Sequence, residues 1–170
     1  WAQKRVSTRL LLRNWLIVYV SNFIGALGIA ALVYYSGALK MGDGALAETV
    51  RHIAVGKTAL SMSEIFFRGI LCNILVCMGV WLALAARSVS GKCIAIIFPV
   101  SAFVAMGFEH CVANMYLIPI GMMMGAPVPF SAFMVNLLFA TLGNIFGGGV
   151  LVALVYWVIY VCDYGASGKR

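Results

Sequence analysis

Four long apolar runs constrain this chain more than any other feature. They fall at about residues 15–35, 60–86, 93–124 and 132–161. Each has the roughly 20 residues a helix needs to cross a hydrocarbon core about 30 Å thick. A soluble domain is about half apolar and a quarter charged. This sequence is 64% hydrophobic and 10% charged, too little polar surface to enclose four such runs. Lipid offers the backbone no hydrogen-bond partners, so each span must satisfy its own. The expected fold is therefore an all-α integral membrane protein with four spans, the lipid bilayer being its first partner.

The basic residues fit that reading. The formal net charge is +7, which in another context would suggest nucleic acid. Here no RNA-binding signature or basic face with interleaved aromatics accompanies it, so no nucleic-acid partner is expected. The charges instead gather at the ends of the apolar runs: Lys4, Arg5, Arg9 and Arg13, then Arg87 and Lys92, then Lys169 and Arg170. By the positive-inside rule these three segments share the cytoplasmic side. Lys40, Arg51 and Lys57, offset by Asp43 and Glu48, fall on the other. Both ends of the chain are thus expected in the cytoplasm, in a membrane of the bacterial inner type.

Two of the runs resemble each other. Ser21–Tyr35 aligned on Gly143–Trp157 matches Asn22 with Asn144, Gly25 with Gly147, and Ala31, Leu32, Val33 and Tyr34 with Ala153, Leu154, Val155 and Tyr156. The two copies cross in opposite directions, which is the inverted repeat of many transporters. The fourth run closes a unit of three helices. By the same logic the first run closes an earlier unit whose other helices are not in this sequence, so the bundle is expected to be incomplete. Asn22 and Asn144 read as residues that pin helix crossings. Gly121 with Gly125, and Gly143 with Gly147, have the small-xxx-small spacing of close helix packing.

The third run is too long for one straight crossing and carries Pro99, Gly107 and Pro119. Proline removes a backbone donor and glycine loosens the helix. The expected arrangement is a half-helix over 93–106, a break from Gly107 to Cys111, and a second half over 112–124. Near the middle of that run stand Glu109 and His110. Ionisable residues at such depth are functional candidates by default. His110 reads as functional. Glu109 reads as a support that accepts backbone N–H groups at the break.

Other reactive side chains receive plainer readings. The five cysteines (Cys72, Cys77, Cys93, Cys111 and Cys162) form no CxxC pair and read as small buried apolar groups. His52 reads as a loop residue. With His110 it leaves a haem-binding membrane subunit formally open, but scattered thiols and two separated histidines make no zinc site. Neither a metal, a cofactor nor a catalytic residue is expected, and the chain does not read as an enzyme.

These residues give the chain its resemblance to the formate/nitrite transporter family. The likeness is carried by GFEHCVANMY at 107–116, RGILCNILVCMGVW at 68–81, Lys57 ahead of that segment, and GNIFGGGVLVALVYWVIY at 143–160. It covers the family's third through sixth helices. The resemblance implies an aquaporin-like bundle, a homopentamer with one pore per subunit, and transport of small monovalent weak-acid anions such as formate or nitrite. It implies that His110 is the central pore histidine, Asn73 the amide beside it, and Lys57 the lysine of the outer vestibule. Phe103 and Val76 correspond to residues of a hydrophobic constriction, with Glu109 and Asn114 in support. The family's other gate residues, on its broken second helix, are not in this sequence. A neutral-solute or bicarbonate-like channel on the same fold remains the alternative. The expected mechanism couples the anion to a proton: His110 gives its proton to the anion, or polarises it, and the neutral acid passes the apolar ring.

Overall fold

The computed structural model describes Trp1 and residues 4–162, with side chains through Tyr160. Lys169 and Arg170, and the side chain of Cys162, lie outside the described residues. Every described element is helical.

Helix α1 spans Thr8–Ser36. The Ser7 hydroxyl accepts from the Leu10 N–H at its start. Gly37 ends it at φ 74°, its N–H bonded to the Tyr34 carbonyl, as a left-handed cap does. The helix buries Ala30 alone. Its exposed apolar residues, Leu16, Ile24 and Leu32 among them, are what a lipid-facing surface requires.

Helix α2 spans Ala45–Thr58, following a short 3₁₀ turn at Ala38–Lys40. His52, expected in a loop, lies exposed on α2 instead. Polar residues at Glu48, Arg51 and His52 hide this helix from a hydropathy reading. Glu48 and Arg51, one turn apart, form an exposed ion pair.

Helix α3 spans Met62–Ala85 and α4 spans Val89–Ala105. The Ser88 hydroxyl caps α4 by accepting from the Gly91 N–H at 3.0 Å. Helix α5 spans Cys111–Met123. The third apolar run is therefore broken, at residues 106–110. Pro99 and Pro119 both sit inside helices. The break falls at Gly107, whose φ of 63° suits a residue without a Cβ.

Helix α6 begins as Phe130–Ile145. It continues in wider π winding through Phe146–Leu154, an α turn at Val155–Trp157, and a second π stretch at Val158–Cys162. The repeat partner of this region, in α1, is ordinary α-helix throughout. By length and composition α1, α3 and the helix from Phe130 to Tyr160 are each able to cross a membrane, while α4 and α5 are shorter apolar helices.

The chain divides into two compact units. The first holds α1, α2 and Cys111–Phe139; the second holds Ser63–His110 and α6 from Ala140 on. In the first, Ala54, Met115, Ile118, Phe133 and Leu137 form a buried apolar cluster, with Tyr19 and Phe23 packed on it. Phe23 and Phe133 stack at 6.3 Å. Ala30, Leu39 and Ile120 form a second cluster. Gly121 brings α5 so close to α2 that a Cβ there would strike Ala54 and the Val50 carbonyl.

In the second unit α6 lies on the backbone of α3. A Cβ on Gly143 would meet the Phe66 carbonyl, and one on Gly147 the Ile70 carbonyl. The spacing of Gly143 and Gly147 thus marks real packing. That of Gly121 and Gly125 does so only at Gly121, since Gly125 is a turn residue with open space around its Cβ direction. Among the cysteines, Cys72 is buried as expected. Cys77 and Cys111 are half-buried, and Cys93 is exposed on α4, a helix that buries none of its residues.

Candidate functional site

The break between α4 and α5 turns on Gly107, whose φ of 63° lies outside the helical region. The Gly107 N–H turns back to the Val104 carbonyl at 3.1 Å and the Phe108 N–H to the Phe103 carbonyl at 3.0 Å. These bonds close α4 and leave Glu109 and His110 in non-helical backbone. Such backbone at membrane depth needs partners from the protein.

Asn144, on α6, supplies one. Its Nδ2 donates to the Glu109 carbonyl at 2.9 Å and to the Gly69 carbonyl on α3 at 2.8 Å. Asn144 is 6% exposed and Glu109 1%. One amide therefore holds the break and α3 together. The expectation that Asn144 pins a helix crossing describes this geometry, with the break as the second thing pinned. Asn73 joins the same group: its Nδ2 donates to the Asn144 carbonyl at 2.5 Å.

His110 is half-buried. Its ring stacks on Phe103 with centroids 5.8 Å apart and planes at 21°. Both residues flank the break, Phe103 in the last turn of α4 and His110 just before α5. The imidazole thus has one face against an aromatic ring. Val76 sits on α3 one turn after Asn73, and both are half-buried. The second unit accordingly holds a titratable ring, an aromatic, an amide and a branched apolar residue. Of these, the printed contact is that of the imidazole with the Phe103 ring; an imidazole can both donate and accept hydrogen bonds.

Lys57 and Asn114 belong to the first unit. Lys57 is half-buried, one residue before the end of α2. Asn114 lies in the first turn of α5 and is fully buried. A residue that the sequence reading missed connects them. Asn136, on α6 and 0% exposed, donates through Nδ2 to the Lys57 carbonyl at 3.0 Å. Its Oδ1 accepts from the Asn114 Nδ2 at 2.8 Å. The signal was available: Asn136 is an amide in an apolar helix, eight positions before Asn144.

The sequence matches the family described as Formate/nitrite transporter over residues 1–158. It is 38% identical to the formate channel FocA of Escherichia coli (strain K12), a match covering 94% of this chain and 63% of that protein. It is also 38% identical to the formate channel FocA of Haemophilus influenzae, covering 88% of this chain and 60% of that one. Among solved structures, a pentameric formate channel with formate bound superposes with a TM-score of 0.84 at 36% identity, covering 93% of this chain and 69% of that one. The chain spans about three fifths of the length of the curated relatives it matches.

Proposed function

The chain belongs to the formate/nitrite transporter family, and from that membership we propose that the full-length protein carries small monovalent weak-acid anions, of the formate or nitrite kind, across the bacterial cytoplasmic membrane. It works as a homopentamer, with the ends of this segment on the cytoplasmic side. His110 is the central pore residue, Asn73 and Lys57 act on the anion, and Phe103 and Val76 form the dry constriction. Glu109 and Asn114 support the backbone around them.

The observation that carries this reading is His110 stacked on Phe103 at a helix break that Asn144 holds fixed. A bare anion cannot enter an apolar constriction cheaply. Lys57 raises the local anion concentration by its field. An anion about 4 Å from an imidazolium gains roughly 4 kcal/mol at an effective dielectric near 20. In drier surroundings the neutral pair is favoured, so the proton moves from the imidazolium to the anion. The anion leaves as its neutral acid, His110 is left as neutral imidazole, and the acid crosses the apolar side chains. Transport is then coupled to protons.

The test is formate uptake into proteoliposomes by the full-length protein, wild type against His110→Asn, from about pH 5 to pH 8. Wild-type uptake rises as pH falls, and the variant loses that dependence. Equal uptake with unchanged pH dependence in the variant would remove His110 from the mechanism.

A further inference from the structure

We infer that Asn136 is a positioning residue for Lys57: it ties off the carbonyl of that lysine and so fixes the helix end from which the ammonium is presented. This rests on the role given to Lys57 above.

The last carbonyls of any helix lack partners within it. At the end of α2 the Val55 and Lys57 carbonyls are met differently. The Val55 carbonyl accepts from the Ala59 N–H at 3.0 Å and from the Thr58 hydroxyl at 3.2 Å. Both donors come from α2 itself or the residue after it. The Lys57 carbonyl accepts instead from Asn136, far along the chain. The residue whose charge matters is the one tied to a different helix.

The bridge is also oriented. A carboxamide has one accepting and one donating end. The Asn114 Nδ2 donates to the Asn136 Oδ1, so the Asn136 Nδ2 must face Lys57. Both amides are fully buried. No water competes for these bonds, and the partners hold one another's orientation. Asn114, at the start of α5, sets Asn136, and Asn136 sets the last turn of α2. Without Asn136 that turn frays, and the Lys57 charge spreads over more positions. The effect falls on capture of the anion rather than on its passage.

The experiment is a double-mutant cycle on the full-length protein in proteoliposomes, with formate as the probe. Lys57→Gln raises KM. Asn136→Ala raises KM about fivefold, the loss expected from one hydrogen bond, with Vmax changed less than about twofold. In the Lys57→Gln background Asn136→Ala adds no further rise. The same KM increase in both backgrounds would reduce Asn136 to a packing residue and overturn the inference, as would a fall in Vmax at constant KM. An unchanged KM in Lys57→Gln, with transport intact, overturns both the inference and the role of Lys57 while leaving transport standing. If wild type takes up neither formate nor nitrite, the transport reading fails, and the inference with it. If Asn136→Ala does not assemble, Asn114→Ala carries the same cycle, since it removes the donor that orients the Asn136 amide. A KM rise that vanishes with Lys57→Gln supports the inference there too, and an additive rise refutes it.

Discussion

The two compact units are held together by different means. The first buries apolar side chains against one another: Met115, Ile118, Phe133 and Leu137 on α5 and α6 meet Ala54 on α2. The second is held by the approach of backbones. Gly143 and Gly147 bring α6 onto the carbonyls of Phe66 and Ile70, and Asn144 bonds two further carbonyls. The difference follows what each must carry. The first unit adds to its side-chain core one buried amide pair, Asn114 with Asn136, at the end of α2. A unit containing non-helical backbone has exposed carbonyls and N–H groups to satisfy, and small residues with buried amides do so where apolar side chains cannot.

The contrast is broken most severely at the glycines. Gly143→Val places branched carbons against the Phe66 carbonyl, which cannot move aside as a side chain could. Overpacking typically costs about 1–3 kcal/mol and more where the obstacle is backbone, as it is here, and this variant is expected to leave no folded protein on size-exclusion chromatography. Gly149→Ala meets nothing within 4 Å and should elute as wild type. Next comes the side-chain core. Ile118→Ala, at a residue with 0% exposure, should lower stability by about 2–5 kcal/mol, read as the midpoint of thermal unfolding in detergent. Asn144→Ala leaves the Gly69 and Glu109 carbonyls without that donor, and about 1–3 kcal/mol is expected. It sharpens the comparison because it should also speed amide exchange at the break, which Ile118→Ala should not. The smallest effect belongs to Arg51→Ala. Its ion pair with Glu48 is exposed, and such pairs contribute about 0–1 kcal/mol, so no shift in unfolding midpoint beyond about 4 °C is expected.

Much of this architecture could be read from the residues. The break in the third run was legible because Gly107, Glu109 and His110 are costly in the middle of an apolar helix. The proline beside a break is a weaker signal: Pro99 and Pro119 remain helical, as proline in membrane helices often does. Helix α2 was not legible. Its exposed Glu48, Arg51 and His52 resemble a loop, and its helicity depends on packing at Ala54 and Gly121 that no local pattern reveals. The stacking of Phe103 on His110 joins two residues already singled out for other reasons. Asn136 was missed because a lone amide in an apolar run looks like its neighbours until its acceptor, 79 positions earlier, is known. The π winding of Phe146–Leu154 also lay beyond the sequence reading, whose repeat alignment treated the two copies as alike. The run of Gly147, Gly148 and Gly149 has no counterpart in α1 beyond Gly25.

The order of the chain gives the two buried amides of α6 a further consequence. Their partners through these bonds are Lys57, Gly69, Glu109 and Asn114, and every one of them precedes α6 in sequence. A protein emerges from the ribosome N-terminus first. The helix that carries Asn136 and Asn144 is therefore made after all four partners. A span that carries two amides is thus synthesised with the groups those amides bind already in the chain.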